Sequence, residues 1–373
     1  MKIALVVQDL IGGGVEYATA AMARAFCERG FAVDLLVSRC QQDYMAAGKA
    51  PFAVPSAVNV IAMPSRSGRE NVPFVRRYLK TTDAVCVVAE SGIYADCLFL
   101  ASLGIRKRPR LAQVWHGDTP RSDYSFRELM QRKIHYWFLY RQIDCLLTVN
   151  EHIREGVLQL TSALTPDRVM TVYNPVIDGA FYAKRVCPTT HPWLVKKTCP
   201  TFVAAGVCDK NKGHGMLLRA MRLANETRRI RLVIFGTGVE EENFRRYIRE
   251  NHLEDVVSLA GFTNNLPAEL KSADGFVLGT HVESFAIVLV EAMACGVPVI
   301  STAAPWGPVE VLENGKYGTL VPVDDVEAMA REMVNLAEHR PAPVPDEAWK
   351  RFTVEAVTDR YLKGLGLPLV AHD

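Results

Sequence analysis

Several absences narrow the chemistry before any motif is considered. The nine cysteines form no Cys-x-x-Cys pair, their number is odd and several sit inside apolar runs. That pattern argues against a disulfide framework or a zinc site and for buried thiols in a reducing cytoplasm. No carboxylate or His/Cys cluster has metal-ligand spacing, and no G-x-x-x-x-G-K-[ST] phosphate loop occurs. Neither a metal nor a cofactor is expected. No apolar run approaches the length of a membrane span, and the run from Met1 to Val7 is too short for a signal peptide. A cytoplasmic protein is expected, with peripheral attachment to the cytoplasmic face of a membrane left open. An excess of one charge sign is missing too, since 43 basic and 41 acidic residues leave a net charge of +2. No nucleic-acid partner is expected. Basic residues do gather in the first half, at Arg66, Arg69, Arg76, Arg77 and Lys80 and again over residues 106–110. A solvated face accounts for such clusters as readily as a partner does.

What is present is an ordinary globular composition, 49% hydrophobic and 23% charged over 373 residues, which suits two α/β domains. Residues 2–8 (KIALVVQ) hold a continuous apolar run, Ile3 to Val7, as in a strand buried on both faces; Gly12-Gly13-Gly14 follows, then an amphipathic stretch from Val15 to Arg29 and a strand from Ala32 to Ser38. This is the opening of a doubly wound sheet. A glycine turn before a helix suits phosphate, although a purely structural turn has the same sequence. A dinucleotide fingerprint fails, because Tyr17 stands where its third glycine belongs and no acid closes the next strand. Residues 83–89 and 111–115 read as further strands, and the second delivers His116 to the ligand edge of the sheet. Phe126 to Tyr140 combines Arg127, Arg132 and Lys133 with a dense aromatic set, and as a helix it can be core on one side and interfacial on the other.

The first domain is placed at 1–176. Three prolines interrupt the periodicity over 177–200, which reads as an irregular linker. A second Rossmann-like run occupies 201–348, facing the first domain across a cleft, with a helix from 349 to the end. In the second run, Lys212 ends a polar loop after one strand and can neutralise phosphate or simply be solvated. The stretch Glu283–Gly296, ESFAIVLVEAMACG, follows a later strand. Ser284 and Ala286 are small enough to let helix-start amides approach an anion. If the helix begins near Glu283, Glu291 lies two turns inside it, about 12 Å along the axis. Carboxylates that far apart share neither proton nor metal, and suit the two ends of an extended ligand with a diphosphate between them. Two incidental glutamates on an amphipathic helix remain the plain alternative.

With these residues in place, the chain resembles the retaining glycosyltransferases of family 4, which have the GT-B fold. The likeness runs through Gly13-Gly14-Val15-Glu16, His116-Gly117, Asn174-Pro175, Lys212-Gly213, Gly236-Thr237-Gly238 and Glu283–Thr302, and continues at Gly307–Leu312 and Tyr317–Pro322. It implies that Glu291 holds the ribose hydroxyls of a nucleotide, and that Glu283 contacts the donor sugar. It assigns the diphosphate to Lys212 and to the amides of Phe285, Ala286 and Ile287, next to Ser284. Gly13 and Gly14 would approach donor and acceptor, His116 the sugar, and the backbone at Phe262 the base; Gly206 and Gly236 join the donor site. The catalytic set by this resemblance is Glu283, Lys212 and His116. Val207 stands where the family usually has arginine. The implied reaction moves a hexose or N-acetylhexosamine, with retention and without metal, from a UDP-type donor to a hydroxyl of a surface glycan or lipid-linked oligosaccharide, as in lipopolysaccharide synthesis. The C-terminal helix would return to the first domain. An epimerase of the same architecture and a non-catalytic sugar-nucleotide-binding protein stay open as alternatives.

Overall fold

The structure is a computed structural model that describes residues 1–11, 14–38, 53–117, 125–339 and 341–369. It divides into two compact units, residues 1–175 with 354–373 and residues 176–353.

The first unit is built on a parallel sheet of seven strands: β1 (Lys2–Val7), β2 (Ala32–Val37), β3 (Val58–Ala62), β4 (Cys86–Ala89), β5 (Arg110–Trp115), β6 (Cys145–Thr148) and β7 (Val169–Thr171). Their spatial order is β3-β2-β1-β4-β5-β6-β7, so the winding reverses between β1 and β4. Central strands such as β1 and β4 are apolar almost throughout, because helices cover both faces. Helices α1 (Gly14–Glu28), α2 (Val72–Thr81), α3 (Gly92–Ser102), α4 (Phe126–Tyr140) and α5 (Glu151–Leu160) supply that cover. Part of the basic cluster is structural: Arg76 donates to the carbonyls of Ala101 (2.9 Å) and Leu103 (2.6 Å), and Arg108 pairs with Asp144 (2.6 Å).

The second unit carries the parallel sheet β10-β9-β8-β11-β12-β13. Its strands are β8 (Thr201–Ala205), β9 (Arg231–Phe235), β10 (Val257–Gly261), β11 (Gly275–Leu278), β12 (Val299–Thr302) and β13 (Thr319–Val321). Here the winding reverses between β8 and β11. Residues 177–200, expected as an irregular linker, instead form α6 (Gly179–Val186) and α7 (Pro192–Val195) and belong to this unit. Prolines hide the periodicity, but side chains replace it: the Glu269 carboxylate accepts from Thr189 Oγ1, from Thr190 N (2.9 Å) and Oγ1 (2.7 Å), and from His191 N (3.3 Å). Beyond β8, the helices are α8 (His214–Thr227), α9 (Glu241–Glu250), α10 (Leu266–Leu270), α11 (Ile287–Ala294), α12 (Gly307–Val311), α13 (Val326–Glu338) and α14 (Glu347–Lys350).

The chain enters and leaves this unit side by side, Val176 N donating to Phe352 O at 2.9 Å. Helix α15 (Val354–Leu365) then completes the first unit, with Tyr361 edge-on to Phe26 at 5.9 Å and Arg29 bonded to Asp359 at 2.7 Å. The stretch expected as one terminal helix from 349 is therefore two, divided at Phe352-Thr353. Among the described residues the eight cysteines are free thiols, and Cys40 lies outside them. No described helix is long and apolar enough to cross a membrane.

Candidate functional site

In open α/β sheets ligands collect beyond the carboxyl ends of the strands, where the winding reverses. In the second unit that point lies between β8 and β11, and Lys212 and Glu283 stand in the loops that follow these two strands. Their side chains meet as a salt bridge, both largely shielded from solvent. Asn211, which the sequence showed only as part of a polar loop, ties the loops together. Its side chain donates to Val282 O (3.0 Å) and accepts from Val282 N (3.2 Å), and its carbonyl accepts from His281 N (2.8 Å). The residues on either side of this joint are the lysine and, one position beyond Val282, the glutamate, so Asn211 fixes the spacing of the pair. From the far side, Glu283 is held by residues 305–307, with Glu283 N donating to Pro305 O (3.0 Å) and Gly307 N donating to Glu283 O (2.8 Å).

Close approach of these loops requires glycine at two places. A side chain at Gly213 (φ 66°) would run into the Gly279 carbonyl, and one at Gly236 (φ 144°) into that of Gly206. Gly206 itself faces the Lys212 stem, 3.4 Å from a Cβ position to Cγ. Gly236 N donates to Gly261 O at 2.8 Å, which brings the loop carrying Phe262 alongside; the Phe262 ring is 79% exposed.

The stretch after Glu283 differs from the expected continuous helix. Ala286 adopts φ 66°, ψ 60°, and α11 starts only at Ile287. Glu291 thus sits about one turn inside the helix, not two, and the 12 Å axial separation does not apply. The Phe285 ring is buried edge-on against Phe352 at 5.4 Å, so what this residue offers a ligand is its backbone. The left-handed conformation at Ala286 carries a strain of about 1 kcal/mol that glycine lacks. Ala286→Gly is therefore expected to raise stability by roughly 0.5 kcal/mol, after the greater unfolded-state entropy of glycine is subtracted. Urea unfolding midpoints check this, and Ala286→Val should move the midpoint the other way.

Glu291 is the distinctive titratable group. Among the described residues no hydrogen bond or ion pair engages its carboxylate. Burial pushes its pKa up to about 7, against a smaller opposing pull from Lys184 on α6. Lys184 was not legible as a neighbour, because it lies in the segment taken for a linker. An acceptor-rich group that is partly buried and unengaged is suited to a ligand's hydroxyl donors.

The first unit has its own pocket, about 720 Å³, at the reversal between β1 and β4. Val15 of α1, Glu90 after β4, His116 after β5 and one face of α4 line it. His116 Nε2 lies 3.4 Å from the buried Glu90 carboxylate, whose other oxygen accepts from Tyr361 of α15 at 3.4 Å. Gln113 also lines the pocket, and its buried Oε1 has no hydrogen-bond partner among the described residues. Opposite, burial raises the Asp96 carboxyl above its ordinary value although His135 pairs with it at 3.0 Å. Gly14 opens α1 next to Val15, and Gly13 lies outside the described residues. The candidate residues therefore fall into two groups, Lys212, Glu283–Ile287, Glu291, Gly206, Gly236 and Phe262 in the second unit and Gly14 and His116 in the first. Among the described residues no group of three or more His, Cys, Asp or Glu gathers as a metal site.

Comparison with known proteins gives concordant matches for both units. The family model described as "Glycosyltransferase Family 4" matches residues 12–178, and "Glycosyl transferases group 1" matches residues 191–348. A Campylobacter jejuni N-acetylgalactosamine-N,N'-diacetylbacillosaminyl-diphospho-undecaprenol 4-alpha-N-acetylgalactosaminyltransferase is 33% identical over 137 residues, 36% of this chain and 37% of that protein. The putative colanic acid biosynthesis glycosyltransferase WcaL of Escherichia coli is 29% identical over 249 residues, 64% of this chain and 58% of its own length. The chain thus spans less than two thirds of either curated relative. Among solved structures, Anabaena Alr3699/HepE in complex with UDP superposes with a TM-score of 0.77 at 18% identity, covering 98% of this chain and 100% of that one. At that identity the likeness concerns the fold.

Proposed function

The chain belongs to the family 4 glycosyltransferases with the GT-B fold, and from that premise we propose that it transfers a hexose or N-acetylhexosamine from a UDP donor, with retention, to a hydroxyl of a growing surface glycan or lipid-linked oligosaccharide. The observation that carries this reading is the Lys212–Glu283 pair at the β8/β11 reversal, set beside an unengaged Glu291 one turn inside α11. Glu291 takes the ribose hydroxyls, Lys212 and the amides at 285–287 take the diphosphate, and Glu283 meets the sugar. The UDP complex of the Anabaena protein supports the choice of nucleotide, and the diphospho-undecaprenol in the Campylobacter enzyme's name supports a lipid-linked acceptor.

In the transfer, the bond from the anomeric carbon to the diphosphate oxygen breaks and its electron pair leaves on UDP. The acceptor oxygen forms the new bond on the face the diphosphate vacates, and its proton passes to a diphosphate oxygen. The protein's contribution is preorganised charge: Lys212 and the amides meet negative charge that grows as the diphosphate departs. That assigns neutralisation to the chain's own groups instead of a metal.

Incubation with a panel of radiolabelled nucleotide sugars, with and without a membrane extract as acceptor source, tests this. UDP release that depends on the extract is the expected result. Turnover without acceptor would replace the transferase reading with an epimerase or hydrolase, and binding without any turnover would leave a sugar-nucleotide-binding protein.

A further inference from the structure

Helix α4 has two faces with different chemistry. Its inner face lines the first unit's pocket through Glu128, Gln131, Arg132, His135 and Tyr136. The opposite face carries Met130, Ile134, Trp137 and Phe138, spaced by three and four residues and therefore in one stripe. These four are between 38% and 53% exposed, unlike Leu139 and Tyr140, which the core buries. Arg127, three residues before Met130, and Arg141, three after Phe138, place a cation at each end of the same stripe. The Arg141 guanidinium lies 4.6 Å over the Trp137 ring, and Lys133 flanks the middle. The helix has one acid, Glu128, which is on the pocket side and is held at the N-cap by Ser125 N (2.9 Å). A shallow groove of about 620 Å³ continues the apolar surface from Ile134, Trp137 and Phe138 to Leu158 and Leu160 at the end of α5.

An apolar ridge bounded by cations, with its single carboxylate turned away, complements a surface that is anionic outside and apolar just beneath. We propose that the outer face of α4 docks on an anionic lipid bilayer. The pocket on its inner face then meets the acceptor as the headgroup of a membrane lipid. Docking follows from the helix alone; the identity of the headgroup as acceptor rests on the transferase reading above.

Sedimentation of the full chain with vesicles tests the docking, using phosphatidylcholine alone or with one quarter phosphatidylglycerol. The wild type is expected to partition onto the anionic vesicles and to leave them as salt rises. Ile134→Glu with Phe138→Glu should lower partitioning at least about tenfold. Arg127→Glu with Arg141→Glu should lower it at least about twentyfold, since each basic residue near such a surface is worth roughly fivefold. Circular dichroism and nucleotide binding by calorimetry establish that both variants are folded. Equal partitioning of wild type and folded variants overturns the proposal. So does a wild-type dimer that ignores vesicles and becomes a monomer in the Ile134/Phe138 variant, because the stripe would then be covered by a second copy. Vesicle binding without sugar transfer under any condition leaves the docking standing and removes the transferase reading; transfer without vesicle binding does the reverse.

Discussion

Lys212→Ala is expected to lower kcat/KM for sugar transfer by about a hundred- to a thousandfold, the usual cost of removing one preorganised charge partner of a leaving group. The size of the effect follows from how few cations the second unit offers there. Val207, where the family's pattern has arginine, is 55% exposed and contributes no charge, and Lys210 points its residue into solvent on the same loop. Lys212, by contrast, is held at the strand reversal by its salt bridge to Glu283 and by Asn211 between the two loops. Without it, Glu283 loses its salt-bridge partner and the diphosphate would depart beside an unpaired carboxylate. The loss should fall mainly on kcat, because the lysine's interaction strengthens as negative charge develops. Lys212→Arg, which keeps the charge, should recover part of it. Steady-state UDP release at saturating donor is the measurement, and a change of less than about threefold would remove Lys212 from the leaving-group role.

Much of the second unit could be read in the sequence because buried parallel strands advertise themselves. Residues 201–205 and 275–278 are buried throughout and apolar but for Thr201, and the loops after them carry Lys212 and Glu283. β3 escaped notice because Val58–Ala62 is an edge strand with Asn59, Val60 and Ala62 exposed, and Asn59 interrupts its apolar run. Three prolines disguised 177–200, whose order depends on the distant Glu269. The late start of α11 was hidden for another reason: alanine seldom takes a left-handed conformation, and nothing local marks Ala286 as doing so. The Glu90–Tyr361 contact joins positions 271 apart and leaves no local trace. Periodicity reports which residues face a core. It is silent on which side chains two loops will share, and Asn211 is invisible for that reason.

Glu291→Gln is expected to weaken nucleotide binding while making the ligand-free protein more stable at alkaline pH. An unfolded chain releases this proton near the ordinary value of 4.5, whereas burial holds it in the folded protein until about 7. Between those values the folded state keeps a proton that the unfolded state has lost, so stability falls as pH rises through the window and the deficit is constant above it. At pH 8 that deficit is on the order of 3 kcal/mol, from about 1.4 kcal/mol per pH unit between 4.5 and 7. Glutamine carries no charge to desolvate, so the gain should appear at pH 8 and vanish near pH 4.5. Neighbouring groups do not change the sign. Lys184 pulls the pKa down by less than burial raises it, and the Cys295 thiol, pushed up to about 12, stays neutral. Binding should show the complementary dependence. Ribose hydroxyls donate more strongly to a carboxylate than to a carboxylic acid, so affinity for UDP should rise as pH climbs through 7. Glu291→Ala, which removes hydrogen bonds to a charged acceptor, should weaken UDP by about a hundredfold. Calorimetric titration from pH 6 to 8 and urea unfolding of both variants check the pair of effects. Unchanged affinity in a folded Glu291→Ala protein would detach this residue from the nucleotide, and a stability gain without pH dependence would detach it from the buried charge. Observed together, the two effects would mark Glu291 as a group kept for its ligand at the expense of the fold.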